Sequence, residues 1–414
     1  MDRVILHCDC NNYFASVELL DKPELRDQPV AVAGDPEGRH GIILAKNQIA
    51  KNYGVQTAET LWQAKKKCPG LILLPPHMDK YRAMSRRVNA IYLDYTDQVE
   101  AFSIDESWLD VTASRNLFGD GAAIADMLRR RVREELGITI SVGVSWNKTF
   151  AKMGSDYKKP DATTVITREN VSQILYPLPV TDLIFVGKSS GQVLARHGIH
   201  TIGDLAACSM AEAEAWLGKG GKGLWLAARG LDDSPVRCYG EHEAVKSVGN
   251  GMTYPQDLVG REVCIAGLTP LCESVGARLR AQHLKCRTIT LQIKDPQLKV
   301  ISRQKPVDPP TNLTRYLLRE VIQLLESAWP EDAPVRLFTV TAGSLMDESA
   351  PVTAQLSFLE EAPREDPRQR RLEQALDGLR NRFGQDAIAT ARGLTAPAMH
   401  RAGESSLEKT PESP

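Results

Sequence analysis

"EAFSIDESWLDV", residues 100–111, sets two acids side by side, Asp105 and Glu106, in a segment that otherwise reads as two short strands. Consecutive side chains of an extended strand point to opposite faces, so an Asp-Glu pair within one strand would turn a charge toward the core. A turn escapes that cost. If "VEAFSI" and "SWLDV" are antiparallel strands, the pair sits at their junction, where both carboxylates can lean toward one ligand. A divalent cation is the natural candidate; a solvated turn is the competing reading.

Outward from this hairpin, the first 165 residues alternate strand and helix signals. "RVILHC" predicts a strand, "NNYFASVELL" a helix, "PVAVAG" and "GIILA" strands, and "NQIAKNYG" a short helix closed by Gly54. "TLWQAKKKCP" and the amphipathic "DKYRAMSRRVNAIYLDYT" predict helices on either side of the strand "LILLPP". After the hairpin come helix "AAIADMLRRRVREELG", strand "ITISVGVSW" and helix "NKTFAKMGSDYKK". The segment is an α/β unit with a partly antiparallel sheet.

From about 168 to 231 the pattern is helical and punctuated by glycine, with "VGKSSGQVLARHGIHTIGDLA" spaced as a helix-hairpin-helix. Such a hairpin would present backbone N–H groups to phosphates, with Lys188 beside them; an ordinary compact helical domain is the competing reading. "DDSPVRCYGEHEAV", 232–245, has the composition of a linker, and a new domain starts near Lys246. That domain reads β-α-β-β-α-β. Between Gly276 and Lys305 it carries Arg278, Arg280, Lys285, Arg287, Lys294, Lys299, Arg303 and Lys305 against the single acid Asp295, a stripe suited to tracking phosphates, with a solvated charged face as the competing reading. Beyond Asp347 the chain is polar, interrupted by "AQLSFLEE" and by the helical "RRLEQALDGLRNRF".

The 414 residues suit roughly two to four domains. No apolar run is long enough for a membrane span, and "MDRVILHCDCNNYF" has no secretory-signal pattern, so a cytoplasmic protein is expected. Eight cysteines without CxxC spacing, and histidines without HxxxH or HExxH clusters, argue against zinc and disulfides. A net charge of −1 means that any nucleic-acid surface must be local.

Two-metal chemistry on phosphates needs carboxylates from several elements. Asp9, ending the first predicted strand, supplies a third if that strand lies beside the hairpin. The ordered set "DCNNYFASVE", "LAKNQIAKNYGV", "SIDESWLDV", "SVGVSWNKTFAKMGSDYKKPDA" and "QLSFL" resembles the Y-family, lesion-bypass DNA polymerases, and within them the bacterial DNA polymerase IV branch, over nearly the whole chain. The resemblance implies a right-handed polymerase: a ferredoxin-like palm (1–14 and 75–167), small fingers (15–74), a helical thumb (168–231), a linker (232–245), a βαββαβ little finger (246–348) and a C-terminal tail (349–414).

The resemblance also implies roles. Asp9, Asp105 and Glu106 match metal-binding carboxylates, and the Cys10 main-chain oxygen a further ligand, for two Mg²⁺ that Mn²⁺ could replace. Phe14 matches the aromatic gate against a ribose 2′-OH. Tyr13, Gln48, Lys51 and Lys159 match positions near the triphosphate. Gln355, Leu356, Phe358 and Leu359 match an anchor for the replicative sliding clamp. The implied partners are primer-template DNA, dNTPs and the clamp; the implied state is a monomer without membrane attachment.

Four departures stand out: Gln48 and Lys51 where relatives carry Tyr and Arg, Asn11 for a second Asp, and Phe185 for a hairpin glycine. The clamp-like motif also ends Phe358-Leu359, where relatives often end Leu-Phe. A catalytically silent DNA- and clamp-binding accessory protein and a nucleotide cyclase are the alternatives. Three retained, mutually repelling acids weigh against the first, and the thumb, basic stripe and "QLSFL" against the second.

Overall fold

The strand Ile5–Cys10 (β1), ILHCDC, is buried at all six positions, His7 and Asp9 included, as a strand covered on both faces must be. This is a computed structural model; it describes residues 2–35, 41–241, 243–350, 367–384 and 387–388. The "QLSFL" motif lies outside the described residues. Two compact units part between residues 242 and 243.

In the first unit β1 leads through α1 (Tyr13–Glu18) into a small module of β2 (Val30–Ala33), β3 (Ile43–Lys46), α2 (Gln48–Asn52), α3 (Leu61–Lys67) and β4 (Ile72–Leu74), whose sheet runs β3-β2-β4. The chain returns by α4 (Met78–Leu93) to the hairpin β5 (Val99–Ala101) and β6 (Glu106–Asp110). Then follow α5 (Arg115–Phe118), α6 (Gly121–Leu136), β7 (Ile140–Ser145), α7 (Lys148–Tyr157) and β8 (Thr163–Val165). The resulting sheet has the order β5-β6-β1-β7-β8.

Alternation along β1 divides its side chains. Leu6, Cys8 and Cys10 enter the core with Tyr81, Val88 and Leu128, residues of the helices α4 and α6. Ile5, His7 and Asp9 face the other way, where α7 packs. That helix comes unusually close: a Cβ on Gly143 of β7 would lie 1.9 Å from Ala151 O, and one on Gly154 would lie 3.1 Å from Gly143 Cα. Glycine at both positions is what lets the helix lie against the strand.

A helical segment completes the unit: α8 (Val171–Ile174), α9 (Lys188–Arg196), α10 (Ile202–Ala207), α11 (Met210–Leu217) and α12 (Lys219–Ala228). Thr201 with Asp204, and Ser209 with Glu212, form capping boxes that start α10 and α11. Phe185 lies on the loop before α9 with φ +71° and a side chain 74% exposed.

The second unit runs β9 (Ser247–Leu258), α13 (Arg261–Ala281), β10 (Leu284–Lys294), β11 (Val300–Thr311), α14 (Thr314–Ala328), β12 (Val335–Asp347) and α15 (Pro367–Phe383). Its antiparallel sheet has the order β11-β10-β12-β9. Ile289, Leu291, Ile293, Phe338, Val340 and Ala342 face α13 and α14 in one core. The helical stretch expected in the tail is α15, and it is bound to this unit by charges. Glu373, 4% exposed, accepts from Arg280 Nη1 at 2.5 Å and from the backbone N–H of Thr314 at 2.8 Å, capping an α14 that has no side-chain cap of its own. Asp377 takes Arg280 Nε at 2.6 Å, Glu273 takes Arg380 at 2.8 Å, and Arg370 pairs with Glu348.

This packing places parts of the basic stripe, with Arg303 among its exposed members. Arg280 is not a surface cation; it is the centre of the α15 contact. Arg303 and Lys305 stand opposite Leu291 and Ile289, and residues directly opposite share a face, so both lie on the helix side of the sheet. Lys305 pairs there with Glu320 at 2.5 Å. Arg278 is exposed and donates to Gly249 O, Arg287 is exposed beside Met346 Sδ, Lys299 is exposed at the β10–β11 turn, and Lys285 and Lys294 are half-buried. The uncovered sheet face is mostly neutral: Thr288, Thr290 and Gln292 beside Thr339 and Thr341. Gly249 and Gly251 there leave the room that a Cβ would take from Thr341 Oγ1 and Thr339 Oγ1.

Candidate active site

The register of β1 on β6 sets Asp9 directly opposite Glu106, so the two side chains leave the sheet on the same face. Asp9 is 6% exposed, and its carboxyl faces that of Glu106 across the strand pair. Burial first, then the Glu106 carboxyl, pushes the Asp9 carboxyl up to about 8, against the pull of Lys159. Burial also works against charge on Glu106, but hydrogen bonds from Asp9 and Lys152 and the charges of Lys152 and Lys159 outweigh it and lower that group. The two crowded acids thus disfavour being charged together.

Two ammonium groups hold the pair. Lys159 Nζ lies 2.6 Å from Asp9 Oδ2 and 2.7 Å from Asp156 Oδ1; Lys152 Nζ lies 2.6 Å from Glu106 Oε1. Both arrive by way of α7, whose close approach the glycines allow. Lys152 was not singled out in the sequence. Its signal was the i,i+4 spacing from Lys148, which pairs with Glu100 at 2.7 Å on the neighbouring hairpin strand.

Asp105 stands in the turn before β6 and is directed elsewhere. Its Oδ1 accepts from Ser103 Oγ at 2.6 Å, while Cys10 N–H donates to Asp105 O at 3.0 Å and ties the turn to β1. Burial raises the Asp105 carboxyl, opposed by the Ser103 bond. As the side chains stand, no three His, Cys, Asp or Glu among the described residues converge on one metal position. The donor set nonetheless fits a hard cation: buried carboxylate oxygens, crowded enough to raise one proton affinity, with lysine ammonium groups where positive charge is needed.

Phe14 is partly exposed and stacked on Tyr81, ring centroids 4.1 Å apart. Tyr13 beside it is 3% exposed and donates its hydroxyl to Tyr81 O at 2.7 Å. The Tyr13 side chain is therefore packed in the core. Gln48 and Lys51 lie together on α2, with Gln48 Nε2 donating to Asn52 Oδ1 at 3.1 Å. Lys188 is the exposed first residue of α9. A cavity of about 630 Å³ opens beside the hairpin, walled by Phe102, Trp108, Phe185, Leu224 and Leu231.

A sheet carrying paired acids, a small β3-β2-β4 module, a helical segment and a separate βαββαβ unit together make a right-handed polymerase fold. A solved Y-family DNA polymerase chimera matches with a TM-score of 0.71 at 24% identity, over 83% of this chain and 99% of that one. Residues 8–156 match the impB/mucB/samB family, and residues 245–358 match the impB/mucB/samB family C-terminal domain. The chain is 46% identical over 388 residues to a DNA polymerase IV of Acetivibrio thermocellus, covering 94% of this chain and 96% of the relative. It is 38% identical over 395 residues to a DNA polymerase IV of Moorella thermoacetica, covering 95% and 97%. The chain belongs to the impB/mucB/samB family of Y-family polymerases. Among the described residues no helix is long and apolar enough to cross a membrane.

Proposed function

We propose that this chain is a template-directed DNA polymerase of the lesion-bypass type, adding dNTPs to a primer 3′-OH, as the names of its relatives suggest. The observation that carries the reading is the pairing of buried Asp9 with half-buried Glu106 on adjacent strands, matched by Lys159 and Lys152. Asp9, Asp105, Glu106 and the Cys10 main-chain oxygen would hold two Mg²⁺, or Mn²⁺. When bound, these ions supply Lewis-acid stabilisation of the attacking and leaving oxygens.

The protein's own groups do the rest. Lys159 offers a point charge to triphosphate oxygens that gain charge as pyrophosphate leaves. The Phe14 ring, stiffened by its stack on Tyr81, fills the space of a ribose 2′-OH. Gln48 and Lys51 give the triphosphate an amide and an ammonium in place of a phenol and a bidentate guanidinium. Lys188 and the exposed cations Arg278, Arg287 and Lys299 are assigned to the primer-template, with the neutral open face of the second unit supplying hydroxyl and amide partners. Gln355, Leu356, Phe358 and Leu359 are assigned to a sliding clamp, in a monomeric cytoplasmic enzyme. Primer extension by purified protein in Mg²⁺ tests the reading; no extension of a primed template would overturn it.

A further inference from the structure

Five of the six tryptophans are anchored. Trp108, Trp146, Trp225 and Trp329 donate their indole N–H to Lys148 O, Gly230 O, Cys208 O and Ala333 O, and Trp216 stacks on His197. Trp62 is different. It projects from α3 with 69% of its surface exposed, and among the described residues its ring meets only the Lys66 ammonium, 5.4 Å from the centroid. Lys65 and Lys66 follow at i+3 and i+4, so all three share one side of the helix.

The surroundings are strongly cationic. Residues 46–67 contain Lys46, Lys51, Lys65, Lys66 and Lys67 against one acid, Glu59, which Lys67 neutralises at 2.6 Å. An exposed indole framed by ammonium groups suits a partner that is anionic and offers aromatic faces. Nucleic acid is both. In a duplex the base faces are already stacked on one another, whereas an unpaired base has a face to give. We infer that the Trp62, Lys65 and Lys66 face of α3 is a stacking platform for an unpaired DNA strand, the template ahead of the primer end. The inference deepens the polymerase reading and rests on it for the identity of the strand.

The test uses the full chain and three labelled probes: oligo-dT, a primer-template with a 5′ overhang, and a blunt duplex of the same paired length. Trp62→Ala should weaken binding to oligo-dT and to the overhang about 10-fold, the scale of one lost base–aromatic stack, and leave the blunt duplex unchanged. Trp62→Phe should keep most of the affinity while removing the quenching of tryptophan fluorescence by oligo-dT. Changing Lys65 and Lys66 to Gln should flatten the salt dependence of oligo-dT binding. Equal affinities of Trp62→Ala and the parent chain for the overhang would overturn the platform, as would an equal loss on blunt duplex. Extension by the parent chain, measured alongside, separates the two readings. Extension with unchanged overhang affinity sinks the platform alone, and Trp62-dependent oligo-dT binding without extension sinks the polymerase reading alone.

Discussion

Two clusters of buried acids, one in each unit, are built on opposite terms. Around Glu373 the acceptors are matched by Arg280, the N–H of Thr314 and Gln369, and Arg280 also takes Asp377. Around Asp9 two carboxyls are pressed together on neighbouring strands, and one is pushed up to about 8. Satisfied charge fixes a helix in place; crowded charge stores a demand for a cation. Under the proposed function, the difference sets a structural ion cluster against a cation-binding one, since binding sites are where local consistency is broken.

The largest effect that can break this contrast is on catalysis. Glu106→Ala or Asp105→Ala should reduce primer extension by about 10³-fold or more, the scale of removing a main electrostatic element, with primer-template affinity little changed. Equal losses of extension and binding in a folded variant would return the pair to a structural role. Next comes stability. Glu373→Ala leaves Arg280 buried beside one remaining acid and α14 uncapped, and should cost about 3–5 kcal/mol in thermal unfolding of the second unit. Glu106→Gln, by contrast, relieves the crowding on Asp9 while taking the carboxylate from Lys152, so its metal-free melting temperature should fall much less than that of Glu373→Ala. A fall as deep as that of Glu373→Ala would erase the distinction.

Specificity sharpens the palm side. Phe14→Ala should lower the ratio of dNTP to rNTP incorporation by about 10- to 100-fold, the range for gaining or losing one steric or hydrogen-bonding discrimination. An unchanged ratio would make the Phe14–Tyr81 stack mere packing. The smallest effect concerns Phe185, a bulky residue held at φ +71° with its ring mostly in solvent. Phe185→Gly should stabilise the first unit by about 0.5–1 kcal/mol, the left-handed penalty less the added chain entropy of glycine. A destabilised variant would mean that the ring's contacts along the cavity wall outweigh the strain.

Much of this was legible in the sequence because local rules and the fold agree. The hairpin around Asp105 and Glu106, the strand ending at Asp9 and the βαββαβ order follow from alternation and turn chemistry. What escaped depends on long-range partners. Whether Arg280 is a surface cation is decided by Glu373 and Asp377, more than ninety positions away. The faces of Arg303 and Lys305 are decided by the register of β11 on β10, where a one-residue slip would reverse them. The Tyr13 side chain is claimed by Tyr81 O, and Lys152 finds Glu106 only because Gly143 and Gly154 let α7 sit close.

The central claim is that the crowded acids of the first unit, and not the satisfied acids of the second, hold cations. Manganese binding followed by electron paramagnetic resonance on the full chain, with primed template and dNTP, tests it without relying on turnover. The parent chain and Glu373→Gln should bind Mn²⁺ alike, and Glu106→Ala should lose most of the bound signal. Undiminished Mn²⁺ binding by Glu106→Ala, or its loss in a folded Glu373→Gln, would contradict the account.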